Sequence, residues 1–356
     1  MKNNKFASAI EYARANKGMH ELAIVAQNSK TGEEASGFKG ALNGKDIGPD
    51  TPYFLASATK LFVTALIMQQ VEKGQLELKA PITTFFAPGR LEGLHMLSGV
   101  DHTSKITVEN LLAHTSGLPD YFEQKQQDGS VFARDILAGK DKSFTVETVI
   151  DMVRGGMKPA FSPAKPGRAF YSDTNYQLLT AIIEKVLGIS FSEAVAKNIT
   201  SPLGLKNTWV FDVEGPERER TIIPLRNGNK QLDIPLAMTS VAGDGGIVSS
   251  AADGLVFIKA FFEGELFSPE LLNQITARWR RIFFPLQYGT GVMLFRLPSI
   301  LTLFQKQPDL IGHSGISGAF LFAEPENQIF ISGTVNQLAS RSLPYQVISR
   351  AVPALR

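Results

Sequence analysis

Strand-like runs crowd the two ends of this chain while helical patterning fills its middle, and that distribution restricts the possible folds more than any other feature. Residues 21–27 read as a strand, Ser29-Lys30-Thr31-Gly32 as a turn and residues 35–42 as the partner strand of a hairpin. Residues 52–56 form a further extended apolar segment, after which Ser57 opens a helix to about Lys73, with Gly74 as its C-cap. Residues 76 to about 235 are mainly helical, broken by Gly-, Pro- and Ser-rich loops at 115–119, 161–167 and 201–204. A new helix follows Ser249-Ser250, one of which is a fitting N-cap. Four strand-like runs (289–295, around 301–304, 316–323 and 328–335) and a helix over 341–351 close the chain. Strands at both ends imply one sheet built from both termini and interrupted by a helical insertion. That is an α+β arrangement, with residues 1–75 and 236–356 in the sheet part and 76–235 in the helical part.

Several function classes fall away on composition. With 36 Lys and Arg against 34 Asp and Glu the net charge is only +2, which lacks the overall basic footprint of a nucleic-acid binder. The absence of Cys removes disulfides, thiolate metal sites and a cysteine nucleophile. His95, Asp101 and His102 match no metal-ligand spacing, so no metal and no cofactor is expected. Lys2 and Lys5 are not followed by an apolar run, because Glu11 and Arg14 interrupt it. Phe6, Ile10 and Ala13 instead fall at helical spacing and predict an amphipathic helix. The longest apolar stretch, residues 61–68, is far short of the roughly 18 residues a membrane helix needs. The expectation is a soluble, cytoplasmic protein with no membrane partner. Its oligomeric state is left open.

The chemistry begins with S-x-x-K. On a helix this spacing sets a hydroxyl and an amine one turn apart on the same face, where the Lys can take up or hold the serine proton. Three matches occur. Ser36/Lys39 lies in an expected strand, where positions three apart point to opposite faces. Ser162/Lys165 is punctuated by Pro163 and Pro166 and reads as a loop. Ser57/Lys60 follows a strand and begins an apolar helix, so it is the nucleophile candidate.

Four further segments stand in a familiar order: Leu112-Ala113-His114-Thr115-Ser116-Gly117-Leu118-Pro119, Tyr171-Ser172-Asp173-Thr174-Asn175-Tyr176, Gly245-Gly246-Ile247-Val248-Ser249-Ser250 and Gly312-His313-Ser314-Gly315. With Ser57/Lys60 and Tyr288-Gly289-Thr290-Gly291 they resemble the serine β-lactamase and penicillin-binding-protein superfamily. The closest likeness is to its class C branch, with DD-peptidases, D-amino-acid peptidases and family VIII esterases. The resemblance implies a β-lactamase/transpeptidase-like fold, an antiparallel sheet flanked by helices with an inserted helical domain, and an active site at the junction. It implies Ser57 as acylated nucleophile, Lys60 as its amine partner and Tyr171 as the phenol relaying the proton. His313, Ser314 and Gly315 match a substrate-binding strand, and the N–H groups of Ser57 and Ile316 an oxyanion hole. Tyr121 is a further pocket-lining candidate. A phenol with a free pKa near 10 acts as a base if a cation lowers it, a role open to Lys60 and His313.

Two positions depart from that pattern. Asp173 stands where the family usually has Asn, and an ionised carboxylate only accepts hydrogen bonds and repels an anionic substrate. Either it faces the site, is neutral, or turns away with Asn175 in its place. His313 stands where Lys is usual, and its unperturbed pKa near 6.5 implies partial charge at neutral pH. The expected function is a serine hydrolase forming an acyl-enzyme at Ser57 and acting on short-chain esters or β-lactams. Alternatives are a D-Ala-D-Ala carboxypeptidase or D-amino-acid peptidase, and a penicillin-binding module that acylates with little turnover.

Overall fold

The computed structural model describes residues 2–16, 18–297 and 307–356. Its main sheet has eight strands: β1 (Leu22–Asn28), β2 (Glu34–Lys39), β3 (Arg280–Phe283), β4 (Leu286–Tyr288), β5 (Met293–Phe295), β6 (Leu310–Ser314), β7 (Ala319–Glu324) and β8 (Ile329–Thr334). They run in the order β3-β4-β5-β6-β7-β8-β1-β2, and every neighbouring pair is antiparallel. The N-terminal hairpin thus joins the C-terminal strands through β1 and β8, with Ala23 opposite Thr334 and Ile24 opposite Gly333.

The helices that carry the core are α1 (Lys2–Arg14), α2 (Lys60–Glu72), α3 (Thr174–Leu187), α4 (Ala251–Glu263) and α5 (Leu343–Ala351). Residues 22–26 are apolar without alternation because both faces of β1 are covered. Leu22, Ile24 and Ala26 join Phe6 and Ile10 of α1 and Val347 and Ile348 of α5. Ala23 and Val25 join Phe257 and Phe261 of α4, in a cluster that continues through Leu66 of α2 to Leu179 and Ile182 of α3. Helix α2 is buried from Lys60 to Gln70, as suits a helix apolar on nearly all sides.

Some expected strands shift. The run expected over 289–295 pairs only from Met293, and the one over 316–323 starts at Ala319, because Gly315–Gly318 close a turn with a 3.0 Å backbone hydrogen bond. The run around 301–304 lies outside the described residues. Strands β3 and β4 were not expected, while β6 carries His313 and Ser314, which the resemblance places on a strand. Among the described residues no helix is long and apolar enough to cross a membrane.

Candidate active site

Tyr53–Phe54 pairs with Ile247–Ser249, which also pairs with Trp209–Val210, and the Leu55 N–H continues the ladder to the Ile247 carbonyl at 2.8 Å. The chain then kinks. Ala56 takes a φ of 45°, in the left-handed region that non-glycine residues rarely occupy. A 3₁₀ turn, Ala56–Thr59, follows and leads into α2 at Lys60. The α-helix therefore starts three residues later than expected, but Ser57 and Lys60 still stand one turn apart. Gly315 lies against the kink, where a Cβ would sit 2.1 Å from the Leu55 carbonyl oxygen. That contact brings Ser57 and Ile316 to the wall of one cleft. Ser57 sits in the 3₁₀ turn and Ile316 in the turn that follows β6.

Lys60 is 0 % exposed, a position an ammonium holds only with partners. Its Nζ lies 2.6 Å from a carboxylate oxygen of Asp173 and donates to the Asp244 carbonyl at 2.8 Å. It also lies 5.3 Å and 5.2 Å from the ring centres of Tyr171 and Tyr176. Ser57 is a side-chain neighbour of the Tyr171 phenol and acts to lower its pKa, against larger opposing effects. The expectation that a cation lowers the Tyr171 phenol is overturned: burial and the nearby Asp173 push it well above its ordinary value. The carboxylate that neutralises the ammonium also faces the phenol. Tyr171 is a neutral donor and acceptor rather than a phenolate.

His114, at a φ of 54°, shapes the segment before α3. Its Nδ1 accepts from the Ser172 N–H at 3.2 Å and lies 3.0 Å from the Asn175 Nδ2, and its ring is 4.3 Å from that of Tyr171. Asn175 is thereby committed away from the cleft, its carbonyl oxygen accepting from Ser116 at 2.7 Å. Asp173, not Asn175, lines the cleft.

Two expectations about substrate contacts are corrected. His313 is fully buried, with Nε2 3.0 Å from the Tyr288 hydroxyl and Nδ1 2.7 Å from the Ser314 carbonyl. Burial first, and Lys60 second, lower its pKa to about 3, so it is neutral rather than partly charged near pH 7. Tyr121 is also 0 % exposed and does not line the cleft; its hydroxyl donates to Asp244 Oδ2 at 2.7 Å. It fits beneath the cleft because a buried carboxylate needs donors. Ser314 hydrogen-bonds the Tyr345 hydroxyl of α5.

The structure adds two carboxyl groups that sequence reasoning missed. Asp244 accepts from Tyr121 and, at 3.0 Å, from Gln177, while Asp120 accepts backbone N–H groups of Phe122, Glu123 and Asp173. Burial, then Asp173, raises Asp244 to about 8 and Asp120 to about 7. The signal for Asp244 was available: an acid stands alone among small residues, directly before Gly245-Gly246.

The cleft beside Ser57 is narrow and opens to solvent. Phe122, Phe132, Ile136, Met238, Val241 and Leu338 make most of its wall apolar, and Asp173 and Asp244 are its acidic positions.

Comparison with known proteins agrees with this architecture. Esterase EstB of Burkholderia gladioli is 27% identical over 289 residues, covering 72% of this chain and 69% of that protein. Penicillin-binding protein 4* of Bacillus subtilis is 26% identical, covering 73% of this chain and 54% of the relative. The chain spans about half the length of the penicillin-binding proteins it matches. A crystal structure of D-amino acid amidase from Ochrobactrum anthropi SV3, complexed with D-phenylalanine, superposes with a TM-score of 0.79 at 22% identity, over 99% of this chain and 98% of that one. The family model described as Beta-lactamase matches residues 6–351, and the chain belongs to that family.

Proposed function

We propose that the protein is a serine hydrolase that cleaves small esters or amides carrying an apolar acyl group, through an acyl-enzyme on Ser57. One observation carries the reading: Ser57, at the edge of an apolar cleft, neighbours the neutral Tyr171 phenol, which lies over a buried ammonium. The Ser57 oxygen forms a bond to the acyl carbon as the bond to the leaving group breaks. Tyr171 takes the serine proton and hands its own to the departing oxygen or nitrogen, so no free phenolate is needed. Lys60 and Asp173 hold a fixed dipole beneath this exchange. The N–H groups of Ser57 and Ile316 face the developing oxyanion, at no cost in reorganisation. In the second half, water attacks the acyl carbon and gives its proton to Tyr171, which hands its own to the Ser57 oxygen as the acyl bond breaks and the serine departs as the hydroxyl.

The same features weigh against anionic substrates. A β-lactam or a D-Ala-D-Ala peptide brings a carboxylate, whereas Asp173 lines the cleft and His313 offers no charge. A second reading, hydrolysis of amino-acid amides or esters with a free ammonium, is favoured by Asp173 in that largely apolar wall. The amidase named above acts in that class by its name.

Intact-mass analysis after mixing with a short-chain aryl ester tests the proposal. The expected result is a single acyl adduct that Ser57→Ala abolishes, with continuing turnover in the wild type. An adduct surviving in Ser57→Ala overturns it, and one equivalent of product with no further turnover favours an acylating binder instead. N-acetylation of an amino-acid ester separates the two substrate readings: a large loss of kcat/KM supports recognition of the ammonium.

A further inference from the structure

We infer that Phe283, at the tip of the β3–β4 hairpin, forms the wall against which the substrate's leaving group packs. The protein then prefers aromatic or other flat apolar leaving groups. The inference rests on the acyl-transfer reading above and adds a specificity-determining residue to it.

Sheet order separates two sides of the site. Strand β6, which leads to Ile316, is flanked by β7 and β8 on one side and by β5, β4 and β3 on the other. The apolar cleft lies on the first side: Ile316, Ser317 and Leu338, which follow β6 and β8, line it, and no residue of 280–288 does. The β3–β4 hairpin lies on the second side. There the Phe283 ring centre is 5.7 Å from that of Tyr171, with the planes at 49°. Phe283 is nevertheless 50% exposed, so its ring offers an open face beside the partly buried Tyr171.

Chemistry assigns the two sides. The carbonyl carbon bonds to Ser57, and the bond to the leaving atom breaks with its electron pair going to that atom. The leaving atom takes the Tyr171 proton, and the phenol is restored by the serine proton. The leaving group must therefore lie along Tyr171, while the acyl group fills the cleft. A leaving group longer than a few atoms runs past the phenol ring onto the open face of Phe283. Aromatic partners make favourable tilted or offset contacts at this separation.

The test uses phenyl butyrate and ethyl butyrate, which share one acyl group. Phe283→Ala is expected to lower kcat/KM for the phenyl ester about three- to tenfold, with the ethyl ester within about twofold. Deacylation of the common butyryl-enzyme should not change, because the leaving group has already gone. Phe283→Trp should restore the phenyl preference. Phe284→Ala, at a neighbouring position that is 64% exposed, should leave both esters unaffected. Equal losses on both esters, slower deacylation, or an unchanged phenyl ester would overturn the assignment. Failure of the underlying reading looks different: the wild type itself would give no butyryl adduct on Ser57.

Discussion

Two buried neighbourhoods flank Ser57, the proposed nucleophile, and exclusion of water acts on them with opposite sign. On one side Asp120, Asp173 and Asp244 gather around Lys60, and burial with mutual repulsion lifts Asp120 to about 7 and Asp244 to about 8. On the other side His114 and His313 sit among Tyr171, Tyr176 and Tyr288, and burial drives His313 down to about 3. Desolvation favours the uncharged form of whichever group it meets, so acids rise and imidazoles fall. Around Ser57 it leaves the Lys60–Asp173 pair, 2.6 Å apart, as the concentrated charge of the site. The site is polar in composition but close to neutral in charge.

The largest way to break this comparison is to remove the ammonium. Lys60→Ala is expected to cost about 10²- to 10⁴-fold in kcat/KM. It also strands the buried Asp173, and breaking such a pair destabilises by about 3–5 kcal/mol. Adding Asp173→Asn should recover most of the stability and none of the activity. Urea denaturation beside ester kinetics separates the two effects, and recovered activity in the double variant would show that Lys60 acts only structurally.

Stability against pH sharpens the contrast next. A group raised in the folded state, such as Asp244, contributes stability that is full below its unfolded pKa of about 4 and is lost as pH rises toward about 8. A lowered group such as His313 costs stability as pH falls from about 6.5 toward about 3. Between about 4 and 6.5 the two slopes oppose one another, and above 6.5 the acidic side acts alone. The wild type should therefore lose stability from pH 6.5 to 8, with Asp244 adding up to about 1.4 kcal/mol per pH unit. Asp244→Asn should flatten that limb. His313→Gln should make the decline begin near pH 4. Chemical denaturation at half-unit intervals checks both, and an unchanged alkaline limb in Asp244→Asn would remove that carboxyl from the balance.

A smaller effect is expected on specificity. Asp173→Asn removes the carboxylate from the cleft wall and should raise β-lactam turnover relative to a neutral ester by about tenfold, about 1.4 kcal/mol of repulsion. An unchanged ratio would mean that Lys60 already cancels the charge for an incoming anion. The smallest effect is none at all: with His313 neutral, ester hydrolysis should show no inflection near 6.5, and one there would contradict its burial.

Much of this was legible before any coordinates, and the exceptions share a cause. The S-x-x-K pair, Tyr171 and the strand-rich ends show themselves through spacing and periodicity, which are local. Ser250 could be picked out as a cap because its partner, the Asp253 N–H, is three residues away. Strand β6 was legible only through the motif at His313-Ser314-Gly315, because Gly312 and Ser314 interrupt any apolar alternation. Strand β3 was hidden in the Arg278–Arg281 run, which reads as a solvated face. Tyr121 could not be assigned because its partner, Asp244, is distant in sequence, and its burial depends on how residues 118–129 fold over the cleft. The state of His313 was misjudged for the same reason: an unperturbed pKa says nothing about neighbours that only folding supplies.

The kink at Ala56 and the close approach of Gly315 to Leu55 join a segment made early in synthesis to one made near its end. On the proposed chemistry, an acylating reagent labels Ser57 efficiently only after the sheet has closed through β6. Covalent labelling becomes a stopwatch for completed folding, one that stays silent for a nascent or truncated chain even where its helices have already formed.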